Sequence, residues 1–263
     1  MDLKLKDKSV IITASSQGIG KAIAKEFAKE KADVVISSRH EEKLKKTVAE
    51  IQEQTGNKNV NYVVCDITRI EDIKYLVEKT VRWYGSVHVL VNNAGGPPAG
   101  AFDSFDDDAW QRSFELNLLS FIRTIREVLP YMKKQQSGHI LNIASSSIKE
   151  VLENLILSNT FRTGIVGLSK SLSVELAKYN ILINTVGPGK IATERVAILD
   201  RIRAEKAGIT YEEQVKKTEI AIPIGRYGKP EELAKIVAFL CSDINTYITG
   251  QSLVIDGGLV KAL

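Results

Sequence analysis

With only two cysteines, Cys65 and Cys241, in 263 residues, the chain cannot be a disulfide scaffold. Each lies inside an apolar segment, Val63-Val64-Cys65 and Ala238-Phe239-Leu240-Cys241. A free thiol in such a setting behaves as a small hydrophobe, so both are read as core residues in a reducing compartment. No run approaches the roughly 18 apolar residues of a membrane span. The amino-terminal Met1-Asp2-Leu3-Lys4-Leu5-Lys6-Asp7-Lys8 alternates charge where a signal peptide needs an uninterrupted apolar stretch, so a cytoplasmic location is expected. An excess of one charge is missing too. There are 36 basic and 32 acidic side chains, a net +4, and lysines mix with glutamates in runs such as Glu41-Glu42-Lys43-Leu44-Lys45-Lys46. That is the pattern of solvated helix faces, and neither a nucleic-acid nor a membrane partner is expected. Internal repeats and low-complexity tracts are absent, and no metal is expected.

What is present is ordinary globular composition, 44% hydrophobic and 26% charged, enough to bury one sizeable core. Short β-branched runs cover Ser9 to Thr13, Asp33 to Ser38, Val60 to Val64, Val87 to Val91, His139 to Ala144, Ile181 to Val186 and Ser252 to Ile255. Segments of helical period separate them, among them Gly20 to Lys31, Glu41 to Gln54, Ile70 to Tyr84, Asp106 to Lys134 and Leu157 to Lys178. Strands that are apolar on both faces and separated by helices cannot pair as hairpins. The economical architecture is α/β: one doubly wound, Rossmann-type domain over 1–263, a seven-stranded parallel sheet with helices on both faces. Two segments break the alternation. Gly95-Gly96-Pro97-Pro98-Ala99-Gly100 must be a loop after the fourth strand, and Thr193 to Arg226 is helical in pattern with no strand. Both follow strand ends, where open α/β sheets bind ligands, and 193–226 is read as a substrate lid.

The first strand runs into Thr13-Ala14-Ser15-Ser16-Gln17-Gly18-Ile19-Gly20 and then a helix. This puts small residues where backbone amides would approach a pyrophosphate at a helix amino terminus; a tight turn without ligand is the competing reading. About 20 residues on, where an acid would hold the ribose hydroxyls of NAD, stands Ser37-Ser38-Arg39. A neutral Ser38 removes repulsion and Arg39 can pair with a 2′-phosphate, which argues for NADP(H) against the alternative of a surface arginine on a loop.

At this point the chain resembles the short-chain dehydrogenase/reductase family, most of all its 3-oxoacyl-[acyl-carrier-protein] reductase branch. The resemblance rests on the Thr13 to Gly20 turn, Cys65-Asp66-Ile67-Thr68, Asn92-Asn93-Ala94-Gly95, Glu115-Leu116-Asn117, Ile143-Ala144-Ser145 and Gly187-Pro188-Gly189-Lys190-Ile191-Ala192-Thr193. It continues through Ile222-Pro223-Ile224-Gly225-Arg226, Tyr247-Ile248-Thr249-Gly250-Gln251 and Asp256-Gly257-Gly258. Ala14 stands where the family usually has a glycine, and the turn is expected to survive. The resemblance implies that Asp66 accepts from the adenine amino group with the Ile67 backbone beside it. Asn93, Ala94 and Gly95 would pass under the adenosine ribose, and Ile191 and Thr193 would contact the carboxamide and phosphates. From the residues alone, Asn92 and Asn93 could equally be turn formers. A homotetramer is also implied, through the helices Asp106 to Lys134 and Leu157 to Lys178 and a second interface at Tyr247 to Leu259.

The catalytic pattern of the family is a serine, an asparagine, a tyrosine and a lysine four residues after it. Ser145 matches the serine and Asn117 the asparagine, but an ungapped register from Ser145 to Glu175 places Ser158 at the tyrosine and Arg162 at the lysine. The i, i+4 spacing puts both side chains on one helix face. A serine hydroxyl donates a hydrogen bond but is a poor general acid, and arginine keeps its charge but cannot relay a proton. Tyr75 with Lys79 has the right spacing on the wrong helix, one that covers a sheet face. Lys149, Glu150, Glu153 and Tyr211 remain as substitute proton donors. The preferred expectation is an NADP(H)-dependent oxidoreductase that interconverts carbonyl and alcohol on a small-molecule or acyl-thioester substrate. Retention of Ser145, Asn117 and the lid favours it. The alternative is a non-catalytic or weakly catalytic dinucleotide binder that has lost the tyrosine.

Overall fold

The computed structural model describes residues 2–262. Seven parallel strands form one sheet: β1 (Ser9–Ile12), β2 (Asp33–Ser38), β3 (Val60–Val64), β4 (Val89–Asn92), β5 (Gly138–Ile143), β6 (Ile181–Pro188) and β7 (Ser252–Ile255). Their order is β3-β2-β1-β4-β5-β6-β7, and every neighbouring pair is parallel. The helices are α1 (Gly18–Lys29), α2 (Glu41–Thr55), α3 (Ile70–Tyr84), α4 (Asp107–Phe114), α5 (Ser120–Gln135), α6 (Ile156–Leu176), α7 (Glu194–Ala207), α8 (Tyr211–Ala221) and α9 (Pro230–Leu240). Alternate strand residues feed two cores, as the two-residue period requires. Val10 and Ile12 join Ile23, Phe27 and Val237 on the α1/α9 side, whereas Ile11 joins Leu76, Val128 and Ile140 on the α3/α5 side. Strand order reverses between β1 and β4, and the crevice outside the carboxyl ends of these two strands is where such sheets bind ligands. No helix among the described residues is long and apolar enough to cross a membrane.

Strand edges differ from the sequence expectation where backbone pairing outweighs local composition. β6 continues through Gly187 and Pro188, which pair with Val254 and Ile255 of β7, although Gly-Pro reads locally as a loop. The expected helix from Asp106 to Lys134 is interrupted by a π-helical turn at Glu115–Leu119 that carries Asn117. Side chains bond back to the helix around it, Asn117 Nδ2 to the Ser113 carbonyl at 3.3 Å and Ser120 Oγ to the Leu116 carbonyl at 2.7 Å. Such back-bonding loosens the regular ladder, and π turns gather at functional positions.

Candidate active site

The turn after β1 is locked from beneath. Ser15 Oγ donates to the Ile12 carbonyl at 2.6 Å and accepts from the Ser37 amide at 3.0 Å, and Thr47 Oγ1 donates to the Ser16 carbonyl at 2.8 Å. Ser15 therefore points into the fold and acts as a brace, with its side chain turned away from any ligand. Gly20 is required by crowding: a Cβ there would lie 2.7 Å from Ser15 Cα and 2.8 Å from the Ala14 carbonyl oxygen. Ala14 takes the left-handed conformation, φ +46°, so the turn survives with a strained alanine in the glycine position. Gln17 precedes α1 without any side-chain cap, and the first turn holds no acid. The free amides of Gly18, Ile19 and Gly20 are left to bind an anion, as helix amino termini do.

Across the crevice, Thr13 and Asn93 bind each other. Thr13 Oγ1 donates to the Asn93 carbonyl at 2.7 Å and accepts from its amide at 2.8 Å, while Asn93 Nδ2 reaches the Ala14 carbonyl at 3.0 Å. Asn92 points into the sheet instead, bonded to Asn142 and Thr124. Between the two strand ends opens a cavity of about 610 Å³, a size suited to a small-molecule ligand. One end is walled by Ser38, Arg39, His40, Lys43, Asp66 and Ile67, the middle by Ala14, Gln17, Gly18, Ile19, Asn93 and Thr193, and the far end by Gly95, Gly96, Leu116 and Arg195. Asp66 holds Thr68 through Oδ1, at 2.8 Å to the hydroxyl and 3.0 Å to the amide, which leaves Oδ2 as a free acceptor. Burial pushes the neighbouring Cys65 thiol up to about 12, so it is inert.

Most of the expected cofactor residues, Ala14, Ser16, Gln17, Gly18, Ile19, Arg39, Asp66, Ile67, Asn93, Ala94, Gly95 and Thr193, line this cavity. Ser15 and Gly20 shape it from behind. Ile191 is buried in the α1/α9 core and lies outside the wall. The sequence reading missed Lys43, which lies in a charge run taken for a solvated face, yet its Nζ sits 3.3 Å from Gln17 Oε1 at the mouth. Arg195, two residues past Thr193, was also missed; neither had a motif to mark it.

None of the four expected catalytic residues is part of this wall; Arg162 reaches it through the Ala94 carbonyl, and Asn117 follows the lining residue Leu116. Arg162 is 3% exposed, with Nη1 donating to the Ile143 carbonyl at 2.8 Å and Nη2 to the Ala94 carbonyl at 3.2 Å. It thus bridges the ends of β4 and β5, two residues from Ser145. Burial, with Arg195 nearby, pushes its guanidinium down to about 10, still charged at neutral pH. Ser145 is half-buried; its Oγ accepts from the Ser147 amide at 3.2 Å, so its own proton is free to donate. Asn117 is fully buried and its Oδ1 has no protein partner. Ser158 is buried on α6, one turn before Arg162. The proposed substitutes are placed less well. Lys149, Glu150 and Glu153 are exposed, and Tyr211 begins α8 against Arg201, 5.2 Å from ring to guanidinium. Tyr75, exposed on α3, carries Lys79 over its ring and is remote from the cavity.

A doubly wound parallel sheet with a glycine turn, an uncapped helix and a crevice at the strand reversal defines a dinucleotide-binding domain of Rossmann type. A family model described as enoyl-(acyl carrier protein) reductase matches residues 13–260. The 3-oxoacyl-[acyl-carrier-protein] reductase FabG of Thermotoga maritima is 36% identical over 261 residues, 98% of this chain and 100% of that protein. The uncharacterized oxidoreductase YvrD of Bacillus subtilis is 34% identical over 267 residues, with both chains covered completely. Among solved structures, L-sorbose reductase of Gluconobacter frateurii, complexed with NADPH and L-sorbose, superposes with a TM-score of 0.94 at 32% identity over 100% of both chains. The chain belongs to the short-chain dehydrogenase/reductase family.

Proposed function

We propose that this protein is an NADP(H)-dependent oxidoreductase that interconverts a carbonyl and an alcohol, with Ser145 and Arg162 at the reacting end. The observation that carries this reading is the Arg162 bridge between the carbonyl ends of β4 and β5 beside a serine whose proton is free. The turn amides of Gly18 to Gly20 hold the cofactor's pyrophosphate, Asp66 Oδ2 takes the adenine amino group, and Arg39 and Lys43 flank the 2′-phosphate. No acid ends β2 to hold an unphosphorylated ribose, since Ser38 stands there. When bound, the cofactor supplies or accepts the hydride at the substrate carbon.

The chain's own residues do the rest. Ser145 donates its hydroxyl proton as a hydrogen bond to the carbonyl oxygen, and the buried Arg162 charge lowers the energy of negative charge growing there. Arg162 stays protonated and Ser158 is a weak acid, so the proton that completes the alcohol is drawn from solvent water. Asn117, in the π turn, has a buried acceptor suited to holding such a water. We assign α7 and α8 as the substrate lid, with α7 meeting the cavity through Glu194 and Arg195, and the substrate as a small molecule or acyl thioester.

We also assign a cytoplasmic homotetramer. β7, with the apolar sequence Ser-Leu-Val-Ile, closes the sheet at its edge with no residue buried, and Tyr247 beside it is 96% exposed. Such an edge strand calls for a cover. The functional reading is tested by titrating NADPH and NADH by fluorescence with the protein and with Arg39→Ala. A well-formed guanidinium–phosphate pair contributes about 1 to 3 kcal/mol, roughly 5- to 150-fold in Kd. The variant should lose that factor for NADPH alone, and equal binding of both cofactors by the unmodified protein would refute the assignment.

A further inference from the structure

Two guanidinium groups meet the loop after β4, and neither has a counter-charge. Arg162 reaches the Ala94 carbonyl from behind, and Arg195, the second residue of α7, donates through Nη2 to the Pro97 carbonyl at 3.0 Å. Among the described residues no carboxylate comes within 4.0 Å of either one. Glu115 and Glu194 line the same cavity without pairing with them. The seat of Arg195 is shaped for it: a Cβ on Gly96 would lie 2.7 Å from Nη2, so the glycine is what lets the guanidinium lie flat on the loop. Arg195 also differs from Arg162 in access. It is exposed, and it faces the cavity at the end beyond Gly95, past the turn amides that suit a pyrophosphate.

Arg162 is buried without a carboxylate partner, which is costly, and a second like charge, Arg195, is held on the same loop. The first raises the cost of the second, and burial with Arg195 nearby is also what lowers Arg162. The arrangement becomes favourable when an anion enters the cavity, because one negative charge then offsets both. Arginine presents paired N–H donors that match a carboxylate, and with one Nη2 hydrogen spent on Pro97 the rest of the Arg195 fork remains free. We infer that Arg195, reinforced by the charge of Arg162, is a specificity residue that selects carbonyl substrates bearing a carboxylate. This rests on the proposed oxidoreductase reading and names the substrate class of the same site. The shared chemistry, an anionic oxygen pair, is also found in the cofactor's pyrophosphate, and the experiment separates the two sources.

The protein loaded with NADPH is titrated with short 2-oxo, 3-oxo and 4-oxo carboxylates and with their methyl esters, following the nicotinamide fluorescence, which reports binding even without turnover. At least one acid should bind 10-fold or more tightly than its ester. Arg195→Gln should erase that preference while leaving the Kd for NADPH within 3-fold, and Arg195→Lys should restore it in part. Gly96→Ala keeps the charge but pushes the guanidinium off its seat, and should also weaken the preference. Equal binding of acids and esters by the unmodified protein overturns the inference. A loss of NADPH affinity in Arg195→Gln as large as the loss for the acid overturns it too, and assigns the residue to the pyrophosphate. Failure of the unmodified protein to bind NADPH at all overturns the oxidoreductase reading beneath it, an outcome distinct from the other two.

Discussion

Restoring the family's catalytic pair, Ser158→Tyr with Arg162→Lys, tests what their replacement has done. The change has a structural cost that can be sized. Arg162 makes two charge-assisted bonds to backbone carbonyls, each contributing about 1.5 to 3 kcal/mol, and a lysine ammonium at this position can keep one of them. Ser158 is 7% exposed, so a phenol must push into packed surroundings or into the cavity, at about 1 to 3 kcal/mol. A total of roughly 2.5 to 6 kcal/mol is large against the usual 5 to 15 kcal/mol of stability, yet leaves a folded fraction at 25 °C. Set against it, a positioned general acid contributes about 10² to 10⁴ in rate. The assay is NADPH consumption with a 3-oxoacyl thioester, alongside thermal melts and an NADPH titration to show that each variant is folded and loaded. The double variant should reduce the thioester faster than the unmodified protein and acquire an alkaline limb as the phenol ionises. The unmodified protein should be flat from pH 7 to 9, because Arg162, at about 10, stays charged throughout. If the folded, loaded double variant is slower than the unmodified protein, position 158 is not where the proton supply was lost, and the solvent route is wrong.

Ala14→Gly should relieve a left-handed alanine that costs about 1 to 2 kcal/mol, less the roughly 0.5 to 1 kcal/mol that glycine adds to the unfolded chain's freedom. The net gain of up to about 1.5 kcal/mol corresponds to a Tm higher by up to about 6 °C, read by calorimetry, and a lower Tm would show that the turn carries no strain. Acid should destabilise the fold through His88 and His139, both held below the ordinary imidazole value of 6.5, mainly by burial. The folded state resists protonation, so stability is complete above about pH 6.5 and falls as the unfolded chain takes up protons below it. Urea midpoints at pH 7.5 and 5.5 measure this, and the loss should shrink in His88→Gln and His139→Gln variants.

Much of the fold was legible because each strand is a short β-branched run and helices such as α1, α3 and α5 have an apolar stripe. The crevice was legible because its turn is built from residues with special backbone needs, such as Gly18 and Gly20. What escaped the sequence lies in side-chain direction. Lys43 belongs to a run of charges whose other members face water, and nothing in its neighbours shows that it alone turns toward Gln17. Ser15 reads like any small turn residue but is a brace beneath the turn. The π turn at Asn117 comes from side chains bonding back along the helix, an effect that apolar periodicity does not carry. Arg195 acquires meaning only when α7 brings it against Gly96, a residue 99 positions earlier in the chain.

The most direct test of the central claim follows the hydride itself. NADPH carrying deuterium at the transferable nicotinamide position is incubated with the protein and a panel of carbonyl compounds, and the alcohols are read by mass spectrometry for one added deuterium. The account predicts label on the carbinol carbon, made by the unmodified protein and lowered by about 10² or more in Ser145→Ala, which removes the donor to the carbonyl oxygen. Tight NADPH binding with no label in any alcohol, or label formed equally well without the Ser145 hydroxyl, would contradict it.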